Sequence, residues 1–296
     1  MLHGPAPGAR RCGRRRAGVA SPPPPPVGAG PRRPLATLPS ALVAPRRDPA
    51  IATPLQRALG ALRREWVRAR HGRDLDRLAA IYGSDKWGEH FYTPHYARHF
   101  GPRRRRALTL LEIGIGGYDD PRAGGASLRM WRAYFPRARI HGIDIHDKSA
   151  HDGRRIRTYR GDQTDRAFLE RVVEEIGRPD IVIDDGSHLN AHVVATFEIL
   201  FPLLADDGLY VVEDTQTSYW PGYGGSPDRD ADAGTSMGFL KRLADGLNHA
   251  EFGLAGYAPT YHDRHVVALH FYHNLVFVEK GPNDEPSNVP AEVRQR

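Results

Sequence analysis

The sequence contains little cysteine, little lysine and no long hydrophobic run. Its 296 residues include a single cysteine, Cys12, so we expect neither a disulfide nor a thiol nucleophile in the rest of the chain. Only four lysines stand among the 42 basic residues, a bias typical of GC-rich coding sequences. No stretch approaches the roughly 20 apolar residues that a membrane span needs. These absences favour a cytoplasmic bacterial protein without a membrane partner.

Positive charge is concentrated in the first 50 residues. Nine arginines and Asp48 give residues 1–50 a charge of +8, so residues 51–296 carry −1 of the total of +7. A nearly neutral body does not favour nucleic acid as a partner. The proline run 22–26 and the lack of any apolar period predict a disordered tail, which a start codon assigned too early would also explain.

The spacing of apolar residues predicts an α/β domain preceded by helices. Helical periods cover residues 55–70 and 74–81, and Pro94 suits the first turn of a third helix. The next helices are predicted at 127–134, 166–176, 191–204 and 236–247. Strands are predicted at 107–113, 138–144, 156–159, 180–184, 209–212, 265–270 and 275–279. Only the turn at His273-Asn274 separates the last two strands, which predicts an antiparallel hairpin at a sheet edge.

This order of elements predicts a Rossmann-like, mostly parallel sheet with helices on both faces and the hairpin at one edge. We expect four segments: a Pro/Arg-rich tail at 1–50, a helical segment at 51–105 that caps the site, the α/β domain at 106–282, and a C-terminal tail at 283–296.

The turn after the first strand, residues 112–117, predicts a nucleotide-like site. Gly114 and Gly116 allow the backbone to approach a ligand closely. The pattern is not G-x-G-x-x-G, and Glu112 would repel a pyrophosphate but can accept a hydrogen bond from an ammonium group. The turn therefore favours S-adenosylmethionine (SAM), which carries an amino acid, over NAD.

Polar residues at later strand ends extend this cofactor site. Asp144 ends the second strand, where an acid can accept both ribose hydroxyls. Asp162 and Gln163 follow the third strand, where they can read an adenine edge. Ser127, at the start of the next helix, and Asp184, at the end of the fourth strand, are further candidates for contact with the cofactor.

Two acidic clusters at strand ends predict a metal centre. Asp185 follows the apolar run 181–183, and Glu213-Asp214 follow the strand 209–212. Carboxylates at the ends of buried strands are costly unless something binds them. Neighbouring parallel strands bring their ends together, so Asp185, Glu213 and Asp214 are candidate ligands for Mg²⁺, which prefers oxygen.

His188 is the candidate general base. It lies three residues after Asp185, one turn further on if a helix starts there. A histidine ordinarily changes its protonation near neutral pH, which suits removal of a hydroxyl proton. His192 is four residues further on, and a structural or pocket role is expected for it.

Aromatic residues on both sides of these clusters predict an acceptor pocket. Tyr219, Trp220 and Tyr223 lie in a glycine-rich loop after the second acidic cluster. Such rings stack on sugar faces, and glycines permit closure. Tyr92 and His95, from the N-terminal helical segment, are further candidates, with helix packing as the alternative.

The E-x-G-x-G-G turn, with acids after the next two strands, resembles class I SAM-dependent methyltransferases. More specifically, the chain resembles the metal-dependent deoxysugar O-methyltransferases of macrolide biosynthesis that act on mycinamicin and tylosin precursors. The matching stretches lie between about residues 75 and 280, at 82–88, 92–96, 112–120, 142–149, 184–192 and 213–224. The resemblance implies Mg²⁺, a histidine base and a small-molecule glycosylated acceptor. Those enzymes carry an added N-terminal domain that helps assemble oligomers, whereas this chain begins with a Pro/Arg tail, so a homo-oligomer stays open.

The leading hypothesis is a SAM- and Mg²⁺-dependent O-methyltransferase of a sugar hydroxyl on a macrolide-type natural product. Methylation of a catechol or another vicinal diol fits the same chemistry. A non-catalytic SAM-binding partner protein need not keep Asp185, His188, Glu213 and Asp214 together. An NAD dehydrogenase is disfavoured by Glu112, and a binding titration with SAM and NADH would decide.

Overall fold

The structure is a computed structural model that describes residues 54–228, 233–254, 256–287 and 289. The predicted tail 1–50 and the end of the predicted C-terminal tail, 290–296, lie outside these ranges. The division into four segments therefore stays a prediction. Within the described residues, no helix combines the length and the apolar character that crossing a bilayer requires.

One mixed sheet organises the described part of the chain. Its strands are β1 Thr109–Ile113, β2 Arg139–Asp144, β3 Ile156–Arg160, β4 Ile181–Asp184, β5 Leu209–Glu213, β6 Val266–Tyr272 and β7 Leu275–Lys280. Their order across the sheet is β3-β2-β1-β4-β5-β7-β6. The first five strands are parallel, and β7 runs antiparallel to both β5 and β6. The predicted sheet with its edge hairpin is confirmed.

Helices cover both faces of the sheet. They are α1 Pro54–His71, α2 Leu75–Tyr82, α3 Thr93–Phe100, α4 Ala126–Tyr134, α5 Arg166–Ile176, α6 Asn190–Leu203, α7 Ser236–Gly246 and α8 Tyr261–His265. The sequence did not predict α8, because a single turn held by the capping box of Thr260 and Asp263 is too short to show a helical period. Asp74, predicted inside the second helix, is instead the N-cap of α2, and its side chain accepts a hydrogen bond from the Arg77 N–H.

Two hydrophobic cores lie on opposite sides of the sheet. Leu110 of β1 packs in the core that α1 to α4 cover. Leu111, the next residue, packs in the core that α5, α6 and α7 cover. All five residues of β1 are buried, as expected for a parallel strand that has helices on both faces.

The site lies where the strand order reverses. The chain passes from β1 to β2 and β3 on one side and then returns to place β4 on the other side of β1. Ligands of open α/β sheets bind in the crevice at the carboxyl ends of such a strand pair. Ile113 pairs with Asp184, and Asp184 pairs with Val212, so the residues that follow β1, β4 and β5 emerge at the same edge.

Candidate active site

A buried lysine stands between the strand-end acids. Lys86, in the connection between α2 and α3, places its Nζ 2.6 Å from Oδ2 of Asp185 and 2.7 Å from Oε1 of Glu213. Oε1 of Glu112 is 3.5 Å from the same nitrogen. The lysine side chain is only 1% exposed. Asp185 and Glu213, at the ends of β4 and β5, therefore converge as the sequence predicts, but around a protein cation. Glu112, predicted for the cofactor site, approaches the same cation, which the sequence did not predict.

These acids outnumber the cation that they surround. Burial raises the pKa of Glu112 to about 7 although the Lys86 ammonium opposes the shift. Burial, with the nearby charge of Asp185, raises the pKa of Glu213 well above its ordinary value. Burial lowers the pKa of Lys86, but the charges of Asp185, Glu213 and Glu112 outweigh it and raise the pKa well above its ordinary value. The lysine therefore stays charged. At neutral pH the cluster therefore holds protons that a bound cation would displace.

Two tyrosines of the α3 region hold the second acidic pair. The Tyr96 hydroxyl donates to Oε1 of Glu213, and both side chains are buried. The Tyr92 hydroxyl donates to Oδ1 of Asp214 over 2.6 Å. Tyr92 is 3% exposed, and its hydroxyl is engaged by Asp214, a candidate metal ligand. Its contact with substrate stays a prediction.

His188 reaches the acids through an unusual backbone conformation. Its φ is +56°, in the left-handed region, and α6 begins only at Asn190. The expectation that a helical turn would carry His188 over Asp185 is therefore wrong: a left-handed residue in the loop does so. His188 Nε2 lies 3.6 Å from Oδ2 of Asp214. A second imidazole, His90, approaches the other oxygen of Asp214 with its Nδ1 at 3.8 Å.

Asp214 stays ionised among these partners. Burial, the largest influence, would raise its pKa, but the hydrogen bond from Tyr92 and the two imidazoles together lower the pKa below the ordinary value. A carboxylate held ionised beside an imidazole can orient the ring and stabilise its protonated form.

Asp185, His188 and Asp214 form a group whose chemistry suits a metal ion. Each offers one ligand atom, and these atoms all lie within 4.8 Å of one another. Their side chains are 23%, 24% and 16% exposed, so all three reach solvent. Glu213, at 3%, is enclosed by Lys86 and Tyr96. The donors fit a divalent cation, and the role of Glu213 as a ligand stays a prediction.

The glycine turn after β1 combines close packing with open space. A Cβ on Gly114 would lie 1.9 Å from the carbonyl oxygen of Asp185, so only glycine fits where this turn meets the loop after β4. Gly116 has φ +75°, and the nearest atom to a Cβ there would be 3.9 Å away. Glu112 is fully buried behind this turn, where its Oε2 accepts the Ser127 hydroxyl over 2.9 Å.

The remaining residues predicted to bind the cofactor differ in how much of each side chain is exposed. Asp144 is half-buried and accepts the backbone N–H of Ile115, which anchors the glycine turn at 3.0 Å. Asp162 is exposed and accepts from Thr164. The buried Gln163 donates to Oδ1 of Asp184 over 3.3 Å and accepts the N–H of Ser187 over 2.8 Å. Gln163 and Asp184 thus fasten the loop after β4, and any contact with a cofactor stays a prediction.

The aromatic loop is held by a buried asparagine. Tyr219 ends the 3-10 helix Thr215–Tyr219, and Tyr223 ends the next one, Pro221–Tyr223. Tyr219 and Trp220 are 42% and 48% exposed. Asn190, at the start of α6, donates to the carbonyls of Thr217 and Tyr223. His95 lies elsewhere, with its ring stacked on Tyr272 at a centroid distance of 3.8 Å.

Sequence reasoning missed Lys86, Tyr96 and Asn190 as residues of the site. The signal for Lys86 was an imbalance of charge: Glu112, Asp185 and Glu213 at buried strand ends need a cation, and the chain has only four lysines. Lys86 also lies in one of the stretches that carried the family resemblance. No local pattern indicated Tyr96 or Asn190, because their partners lie 117 and 27 to 33 residues away.

The buried Asp184 leads to a prediction about pH. Burial raises its pKa from 3.8 to about 7, so between those values the folded chain holds a proton that the unfolded chain has lost. The stability this proton gives is complete below about pH 4 and is lost as the pH rises through 7, at about 1.4 kcal/mol per unit. Asp184→Asn cannot ionise. Its free energy of unfolding, obtained from melting in EDTA, should therefore gain on that of the wild type by on the order of 2 kcal/mol between pH 5 and 8.

The exposed Asp162 provides the control for this measurement. Hydrogen bonds from Thr164 lower its pKa, so Asp162→Asn should show no such gain with rising pH. If the stabilities of wild type and Asp184→Asn change by the same amount from pH 5 to 8, the prediction is contradicted.

Comparisons with known proteins agree with this architecture, although no family model matches the chain. The 8-demethyl-8-alpha-L-rhamnosyl tetracenomycin-C 2'-O-methyltransferase of Streptomyces olivaceus is 55% identical over 221 residues, 73% of this chain and 58% of the relative. The mycinamicin VI 2''-O-methyltransferase of Micromonospora griseorubida is 51% identical over 224 residues, 74% and 56% of the two chains. A solved structure of the MycE methyltransferase from the mycinamycin biosynthetic pathway, in complex with Mg, SAH and mycinamycin VI, matches with a TM-score of 0.71 at 52% identity and covers 74% of this chain and 56% of that one.

The sheet order, the glycine turn and these similarities together define a class of fold: the chain has the class I methyltransferase fold. Within that class, the resemblance to deoxysugar O-methyltransferases that the sequence motifs predicted is confirmed. The chain spans just over half the length of the relatives it matches.

Proposed function

We propose that this protein is a SAM- and Mg²⁺-dependent O-methyltransferase that acts on a sugar hydroxyl of a glycosylated, macrolide-type natural product. The observation that carries the proposal is the group of Asp185, His188 and Asp214 at the reversal point of a methyltransferase sheet. Relatives named for 2'-O- and 2''-O-methylation of glycosylated compounds support the acceptor class. A small molecule, rather than nucleic acid, fits a body with almost no net charge.

The chain's own residues supply proton transfer and charge balance. His188 accepts the proton of the acceptor hydroxyl, and Asp214, 3.6 Å from its Nε2, stabilises the imidazolium that results. Lys86 offsets part of the charge of Asp185, Glu213 and Glu112. Asp185, Asp214 and, by prediction, Glu213 would hold Mg²⁺, which when bound lowers the pKa of a coordinated hydroxyl and orients it.

The residues around the glycine turn would hold SAM, which supplies an electrophilic methyl group. Gly116 leaves room for close approach, and the half-buried Asp144 lies at the end of β2, where a ribose hydroxyl can donate to it. Asp162 and Gln163 lie at the end of β3, the predicted adenine side. Glu112 would act on SAM indirectly, because Lys86 and Ser127 enclose its carboxylate.

The exposed rings of Tyr219 and Trp220 are suited to contact the acceptor, since flat aromatic surfaces stack on sugars and polyketides. Tyr223 packs beside Trp220, with ring centroids 5.8 Å apart, and extends the same surface. Asn190, two residues after His188, donates to the Tyr223 carbonyl, which supports an acceptor surface close to the proposed base.

The experiment that tests this function separates cofactor binding from chemistry. Activity should require added Mg²⁺ and be abolished by EDTA, whereas SAM binding measured by calorimetry should largely survive the chelator. The reason is that the proposed cofactor residues follow β1 to β3, and the proposed metal ligands follow β4 and β5. Asp185→Asn should weaken Mg²⁺ binding more than SAM binding, because the amide keeps the shape but removes one charge.

Asp162→Asn is the matched control, since it removes one carboxylate from the other side of the switch point and should leave Mg²⁺ affinity unchanged. Full turnover in EDTA, with the metal shown to be absent, would eliminate the metal from the proposal. Tight NADH binding without a SAM signal would eliminate the methyltransferase activity itself.

A further inference from the structure

A second group of metal-ligating side chains joins α3 to the edge hairpin. His99 of α3, His270 of β6 and Glu279 of β7 each offer one ligand atom, and these atoms all lie within 4.8 Å of one another. His270 Nε2 is 2.9 Å from Oε1 of Glu279, and His99 Nδ1 is 3.9 Å from the same oxygen. These three residues, called the hairpin cluster below, join α3 to the two consecutive strands β6 and β7, which lie far from α3 in sequence.

The donor set and its spacing suit a zinc ion. Two imidazoles and one carboxylate favour zinc or a similar transition metal, whereas Mg²⁺ prefers oxygen alone. Tetrahedral zinc with bonds of about 2.0–2.1 Å places its ligand atoms roughly 3.3 Å apart. The two distances to Oε1 of Glu279 lie on either side of that separation, so small side-chain shifts would complete the geometry.

Neighbouring side chains hold His99 in an orientation suited to coordination. Its Nε2 lies 3.0 Å from the Tyr272 hydroxyl, which leaves Nδ1 facing Glu279. Metal-binding histidines usually engage a partner with the second nitrogen in this way. The ring stacks on Phe277, with centroids 4.2 Å apart. Burial, with the adjacent His270, lowers the pKa of His99 to about 4, which keeps the imidazole in its neutral, ligating form.

The cluster is also open to an ion from solution. The His270 and Glu279 side chains are 33% and 35% exposed, while His99 is only 7% exposed. A metal could therefore enter from the hairpin side and keep a water molecule in the fourth position.

We propose that His99, His270 and Glu279 bind a zinc ion that ties α3 to the β6–β7 hairpin. The site goes beyond the proposed methyl transfer and shares no residue with it. Its effect is structural: a bound ion stabilises the folded chain and fixes α3, the helix whose Tyr96 hydroxyl holds Glu213.

Zinc titration into the full chain tests the proposal. The protein is stripped with EDTA, exchanged into buffer with excess Mg²⁺ to occupy the acidic site, and titrated with zinc chloride by calorimetry. Wild type should bind one equivalent and melt at a higher temperature with zinc. His270→Ala and Glu279→Gln should each weaken zinc binding by at least roughly 10-fold. Glu279→Gln keeps the shape of the side chain, so it answers the question even if His270→Ala fails to fold.

Two histidine variants serve as controls. His273→Ala removes an exposed imidazole from the hairpin turn, and His188→Ala removes the imidazole of the acidic site. Both should bind zinc as the wild type does. Absence of zinc binding in the wild type, wild-type affinity in a folded Glu279→Gln, or loss of zinc only in His188→Ala would each overturn the proposal.

Discussion

Replacing His188 by alanine is expected to slow methyl transfer by roughly 10²- to 10⁴-fold, the usual span for loss of a general base. The imidazole of His188 lies beside Asp214 on the loop after β4, and its side chain is 24% exposed, so an acceptor hydroxyl can reach it. Binding of SAM should change little, and so should binding of Mg²⁺, because Mg²⁺ prefers the carboxylate oxygens of Asp185 and Asp214 to the imidazole nitrogen. Turnover at saturating SAM, acceptor and Mg²⁺ measures the effect, and added free imidazole should restore part of the rate.

Two further variants make this result specific. His188→Asn removes the base but tolerates the left-handed backbone at this position, so it separates chemistry from the φ of +56°. His90→Ala removes the other imidazole beside Asp214, at 3.8 Å, and should cost much less. A larger loss in His90→Ala than in His188→Ala would move the base to His90.

Among the variants considered, Lys86→Met is expected to lose the most free energy of unfolding. The substitution keeps the length of the side chain and removes the cation that contacts Asp185 and Glu213, which leaves carboxylates buried without a counter-charge. Breaking a buried ion pair from one side costs about 3–5 kcal/mol. For a domain of this size that corresponds to roughly 6–20 °C in melting temperature, measured in EDTA at pH 8. The difference should shrink as the pH falls, because burial raises the pKa values of Asp185 and Glu213 and protonation then removes their charge.

Lys148 offers a matched control. It is 2% exposed, like Lys86, but its Nζ donates to backbone carbonyls, at 2.8 Å in the case of Asp120. Lys148→Met leaves neutral oxygens behind, at a cost of about 1–3 kcal/mol with little dependence on pH. Equal losses for the two lysines at pH 8 would show that burial, rather than the acidic cluster, determines the effect.

The sequence predicted the convergence of the acids because it depends on one rule. Parallel strands align their carboxyl ends, so Asp185 and Glu213 had to meet once β4 and β5 were neighbours. The edge hairpin was equally accessible, since two residues between two apolar strands leave no room for a crossover. Both predictions needed only local pattern and the topology of the sheet.

What the sequence could not show is how the chain fills the space between those ends. Lys86 and Tyr96 reach partners 99 and 117 residues away, and only the packing of α2, α3 and α4 on the sheet brings them there. The left-handed φ of His188 is likewise set by the loop that Gln163 fastens, and no pattern in residues 185–188 indicates it. Long-range placement and single backbone angles are determined by tertiary structure.

Transfer of a labelled methyl group tests the central claim most directly. The chain is incubated with trideuteromethyl-labelled SAM, Mg²⁺ and a rhamnosylated polyketide that has free, adjacent sugar hydroxyls, and the product is examined by mass spectrometry and NMR. We predict one labelled methyl group on a sugar oxygen, formed only with Mg²⁺ present and strongly reduced in His188→Asn. A label on the aglycone, or an equal yield from His188→Asn, would contradict the account.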